Sequence, residues 1–76
     1  MIKVECYSGY KANERPVSFS ISGNKFHVEE IIDRWYGEGY SYFKLKASDR
    51  NIYILKLDES RDCWELEFYQ KTVEKL

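Results

Sequence analysis

Pro16 is the only proline in the chain and His27 the only histidine, with four glycines and two cysteines completing a thin supply of special residues. No Pro-, Gly- or Ser-rich stretch divides the 76 residues, so one domain spanning 1–76 is expected. A single histidine excludes paired-histidine metal motifs. It leaves Cys6, His27 and Cys63 as three ligands at best, with no local spacing to gather them. Gly37 and Gly39 lack the third glycine and the following helix of a nucleotide fingerprint, and no cofactor is expected. Nowhere is there an apolar run of the roughly 18 residues a membrane helix needs. Lys3 and Glu5 also break the N-terminus where a signal peptide would be apolar. Neither export nor a membrane is supported, and a cytoplasmic protein is expected. There, Cys6 and Cys63 are expected as reduced, buried thiols, although a sheet that closes on itself would make them neighbours. Charge of either sign is also missing as an excess: 12 Lys and Arg against 13 Asp and Glu leave −1. No global field draws the chain to phosphate or to an anionic membrane, so a charge-driven partner must meet a local patch.

What the sequence has is aromatic residues. Seven Tyr, four Phe and two Trp make 17% of the chain, within a hydrophobic total of 43%. Such residues favour pleated, half-buried surfaces, and the total is enough to order a core. The spacing agrees. Ile2, Val4 and Cys6 alternate with Lys3, Glu5 and Tyr7; Val17, Phe19 and Ile21 alternate with Ser18, Ser20 and Ser22. Ser22-Gly23-Asn24-Lys25 reads as a hairpin turn. The return strand begins in phase with Phe26 and Val28, and its next apolar residues are Ile31, Ile32 and Trp35, an inward set shifted by one. A β-bulge near Glu29 and Glu30 accounts for the shift. A short helical turn over residues 29–36 fits the same spacing. After Gly37-Glu38-Gly39 come Phe43, Leu45 and Ala47, a turn at Ser48–Asn51, then Tyr53, Leu55 and Leu57. A turn at Asp58–Asp62 leads to Trp64, Leu66 and Phe68, with Glu65, Glu67 and Tyr69 opposite. The expected fold is all-β: a small antiparallel meander of about six strands, curled or closed into a barrel, with residues 71–76 a frayed tail or one helical turn.

Three constellations could carry function. Glu29, Glu30 and Asp33 gather carboxylates, but Arg34 follows directly and a solvated strand face explains them as well. Arg34, Trp35 and Tyr36, then Tyr40, Tyr42, Lys44 and Lys46, lie on two segments joined by a Gly turn. If they share one face, rings that stack bases and cations that track phosphate would suit a single-stranded nucleic acid. The expected binding surface is Arg34, Tyr36, Tyr42, Lys44 and Lys46; the same aromatics also serve as packing, with Trp35 buried. Finally, an exposed edge, either the first strand or Val17–Ile21 behind Pro16, could accept an extended protein segment.

Read from Glu5 to Tyr69, the chain resembles a family of small bacterial domains of unassigned function that occur as stand-alone proteins. Its diverged relatives look like those associated with Y-family translesion DNA polymerase-like proteins. The most specific piece is Val28-Glu29-Glu30-Ile31-Ile32-Asp33-Arg34-Trp35. The resemblance implies a non-enzymatic accessory module in a DNA-repair setting and brings no catalytic residue with it. The partner expected is therefore a single-stranded nucleic acid or a protein.

Overall fold

A computed structural model describes residues 2–6 and 15–71; the stretch 8–14 between the first two alternating segments, which reads as a loop, and all of the tail expected at 71–76 except Lys71 lie outside the described residues. Six strands follow in order: β1 (Ile2–Cys6), β2 (Pro16–Ile21), β3 (Asn24–Gly37), β4 (Tyr40–Ala47), β5 (Ile52–Asp58) and β6 (Cys63–Gln70). Each pairs antiparallel with the next, forming one sheet in the order β1-β2-β3-β4-β5-β6 that curls into a half-barrel. Among the described residues no helix is present, so none is long and apolar enough to cross a membrane.

The turns impose the register. Ser22 and Gly23 both have positive φ, 51° and 86°, between the paired Ile21 and Asn24. That twist matches the flanking strands, and Gly at the second position adopts it without a Cβ clash. Between β5 and β6, Asp58 Oδ1 accepts hydrogen bonds from the backbone N–H groups of Ser60 and Arg61 and from the Ser60 hydroxyl. These bonds hold its carboxyl below the ordinary range.

β3 is the element on which the shape depends. Its first residues, Asn24–His27, pair with β2, and Val28–Gly37 pair with β4, so one strand belongs to both halves of the curl. Its register slips twice, between Val28 and Glu30 and between Ile31 and Asp33. The residues 29–36 are therefore bulged strand, with two bulges where the sequence pointed to one, and the helical turn is excluded. Each extra residue bends the strand and switches the faces beyond it. Ile31 packs against the core, whereas Ile32, the extra residue of the second bulge, is 44% exposed. Trp35 lands on the outer face opposite Tyr42 and is 37% exposed, correcting the expectation that it is buried.

Bulges also correct the pattern at two other strands. β1 and β2 slip between Glu5 and Cys6, placing Pro16 opposite Cys6 and leaving Val17 as the extra residue. Pro16 is consequently fully buried and Val17 exposed. β2 lies between β1 and β3, so the Val17–Ile21 segment is no edge and Pro16 guards none. At β6 the slip skips Glu67, pairing Leu66 with Leu55, Phe68 with Ile54 and Tyr69 with Tyr53. Tyr69 therefore turns inward and Phe68 outward, the reverse of simple alternation.

The core fills the hollow of the curl. Phe43, Leu45 and Ala47 of β4, Tyr53 and Leu55 of β5 and Phe19 of β2 are at most 4% exposed. Leu55 and Leu45, both 0% exposed, have no room to relax if truncated. Leu55→Ala is expected to lose about 2–5 kcal/mol in a urea unfolding curve, and Val17→Ala less than about 1 kcal/mol. Equal losses at the two positions would contradict the bulge that expels Val17.

Candidate binding surfaces

The expected surface residues do not converge. β3 and β4 register places Arg34 opposite Phe43 and Tyr36 opposite Ser41, on the inner face with the buried Phe43. Tyr42, Lys44 and Lys46 alternate with these core positions and stand on the outer face, together with Trp35 and Tyr40. Neighbours in sequence point to opposite faces because the strand period is two, so residues 34 and 36 part from 35.

On the outer face, the Trp35 and Tyr42 rings stack nearly parallel, with centroids 5.4 Å apart and planes 6° apart. Lys56 Nζ lies 4.2 Å from the centre of the Tyr40 ring and 3.9 Å from Glu67 Oε1. The lysines there are matched by acids: Glu30 stands opposite Lys46, Asp33 opposite Lys44 and Glu65 opposite Lys56. Opposite charges across strands neutralise one another, so this face carries rings but no net basic stripe. The acidic cluster Glu29, Glu30 and Asp33 is likewise spread by the two bulges. Among the described residues no group of three or more His, Cys, Asp and Glu could hold a metal ion. Cys6 is half-buried at the end of β1. Cys63, opening β6 after an exposed turn, is exposed rather than buried.

A second surface lies where the half-barrel fails to close. β1 and β6 are the two ends of the sheet order and pair with no strand beyond β2 and β5 respectively among the described residues. Along β6 run two adjoining hollows of about 360 Å³ each, one towards β1 and bounded by Ile2, Ile21, Trp64 and Leu66, the other towards the β2–β3 hairpin and bounded by Ile21, Phe26, Tyr53, Leu66 and Tyr69. Leu66, Phe68 and Tyr69 are 40–47% exposed, an unusual load for one edge strand. The signal in the sequence was available: the last strand of a meander is an edge unless the sheet closes, and WELEFY ends in two adjacent aromatics that cannot share one face.

The floor of this cleft is rigid. Tyr53 lies 4.9 Å from Phe19, 5.8 Å from Phe26 and 5.0 Å from Tyr69, ring centre to ring centre. Its hydroxyl donates to Asp49 Oδ2 at 2.6 Å. Asp49 also accepts from the Asn51 backbone N–H at 3.0 Å and from Asn51 Nδ2 at 2.9 Å, and the same Nδ2 donates to Tyr69 Oη at 3.2 Å. Burial raises the Tyr53 pKa, and the bond to Asp49 raises it further. For Asp49, partial burial pushes the carboxyl up, but the bonds from Tyr53 and Asn51 outweigh it and leave the pKa below the ordinary value. A depressed carboxyl stabilises the fold above its unfolded pKa of about 3.9, and the contribution fades as pH falls through the lower folded value. Tyr53→Phe is expected to cost about 1 kcal/mol at neutral pH and to raise the Asp49 midpoint in a carboxyl ¹³C titration. An unmoved midpoint would show that the hydroxyl does not hold Asp49.

Comparison of the chain with protein-family models, with curated proteins and with solved structures returned no match.

Proposed function

We propose that this domain is a non-enzymatic binding module that takes an extended protein segment into the cleft between β1 and β6. The observation that carries the reading is the unpaired edge of β6 beside apolar hollows that reach β1 on one side and the β2–β3 hairpin on the other. Each edge offers a row of backbone donors and acceptors, and a segment laid along β6, the edge with the apolar lining, would be paired to it by main-chain hydrogen bonds. The lining supports one face of such a segment: Ile2, Ile21, Phe26, Trp64 and Leu66 would receive every second side chain. Glu65 and Glu67 of β6 favour Lys or Arg at the alternate positions. Aromatic anchors beside an apolar cleft are the residues that dominate protein interfaces.

A single-stranded nucleic acid is the second reading, and the exposed Trp35–Tyr42 stack favours it as a platform for bases. The acids opposite Lys44, Lys46 and Lys56 weigh against it, because phosphate tracking needs uncompensated cations.

One amide NMR titration separates the two. A seven-residue capped peptide of alternating Val and Lys is expected to shift β1 and β6 amides, to a similar extent at about 50 and 200 mM salt. Leu66→Glu is expected to weaken it about tenfold or more. A short mixed-sequence single-stranded DNA that instead shifts Trp35, Tyr42 and Lys44, and loses those shifts at the higher salt, would replace the first reading with the second. Silence from the peptide at millimolar concentration would end the cleft reading.

A further inference from the structure

Arg34 belongs to neither of these surfaces. Its guanidinium carbon lies 4.9 Å from the centre of the Phe43 ring and 5.4 Å from that of Tyr36. Phe43 is 2% exposed and is backed by Trp64 at 5.6 Å, so one side of the cation rests on a fixed aromatic floor. Its Nε is sealed from solvent and has no hydrogen-bond acceptor, the only such buried side-chain atom among the described residues, whereas the side chain as a whole is only half-buried. Lys25, Lys56 and Arg61 each have a carboxylate within 4.0 Å, and Arg34 has none among the described residues. Asp33 does not serve: its register partner Lys44 puts it on the outer face, where its Oδ1 accepts the backbone N–H of Arg34 at 2.7 Å.

A guanidinium stays charged at every physiological pH, and burying part of one without a counter-ion is costly. Aromatic faces recover only some of that loss. A planar anion laid against the two Nη nitrogens would recover more, through two parallel charge-assisted hydrogen bonds. We propose that Arg34, fixed on Phe43 and Tyr36, is a receptor for a carboxylate of a bound peptide, either a chain terminus or an Asp or Glu side chain. A carboxylate suits the place better than a phosphate dianion. The next inner-face position of β4 is Ser41, opposite Tyr36, whose hydroxyl donates to Glu59 Oε2, so a second negative charge already lies on this side. The proposal rests on Arg34 alone and stands whatever the β1–β6 cleft takes.

The test follows the Arg34 Nε–Hε resonance and the Tyr36 ring signals of the full, isotopically labelled chain. Sodium acetate is added against sodium chloride at constant ionic strength, then inorganic phosphate. A saturable shift with acetate, absent with chloride and at least about fivefold weaker with phosphate, is expected. Acetyl-Ala-Ala with a free carboxylate, or acetyl-Asp-amide, should reproduce it, the tighter of the two naming the source; acetyl-Ala-Ala-amide should not. Arg34→Lys, which keeps the charge and loses the fork, is expected to weaken acetate about tenfold. Equal responses to acetate and chloride, a stronger response to phosphate, binding of the fully capped dipeptide, or undiminished acetate binding by Arg34→Lys would each overturn the proposal. Should the Lys variant fail to fold, the wild-type comparison of acetate with chloride decides it.

Discussion

The edge-on contact between Phe19 and Tyr53 joins the two halves of this curled sheet. Phe19 belongs to the layer of β1, β2 and the start of β3, and Tyr53 to the layer of β4, β5, β6 and the rest of β3. A sheet of six strands in sequence order has no need to fold back on itself; it does so here because each layer has one apolar face and water on both sides of an open sheet would leave those faces uncovered. Two bulges in β3 supply the bend, and the aromatic contact fixes how far the bend goes. Phe26 and Tyr69 complete the cluster, and Asp49 ties the Tyr53 hydroxyl to the β4–β5 turn.

The same constraint leaves the opening between β1 and β6. Large rings at the centre of the curl hold its layers apart, so the outer strands approach without forming a ladder. An incompletely closed small barrel exposes apolar floor at its seam, and here Leu66 and Tyr69 stand on that floor while Phe68 stands behind it. The edge is not without protection: the bulge at Glu67 and the charges of Glu65 and Glu67 interrupt a flat edge and discourage indiscriminate pairing. An edge so modified admits a partner whose side chains fit the cleft and rejects one that merely presents strand.

The outer face illustrates how register decides electrostatics. In sequence, Lys44 and Lys46 beside Tyr42 resemble a basic, aromatic strip. Their neighbours across β3 are Asp33 and Glu30, residues the sequence groups instead with one another as an acidic cluster. Only the two bulges bring these particular pairs opposite, and a register shifted by one would face the lysines with core residues. Arg34 shows the converse, a cation that looks exposed in the sequence and is seated on the core ring of Phe43.

The sequence by itself determined the strand count, the turns and most of the core, because side-chain alternation and turn chemistry act over a few residues: Phe43, Leu45, Ala47, Tyr53 and Leu55 are buried as their spacing requires. It also marked β3 as irregular, since Val28, Ile31 and Ile32 cannot share one face of an unbroken strand. Tertiary structure alone decided which residue each bulge expels, and so the facing of Trp35, Tyr69 and Val17. A bulge can absorb its extra residue at several neighbouring positions at similar local cost, and the choice falls to whichever side chains the opposite layer can cover. The separation of Arg34 and Tyr36 from Tyr42, Lys44 and Lys46, and the placing of acids opposite Lys44, Lys46 and Lys56, followed from that choice, because face and register are properties of two strands together and not of either one.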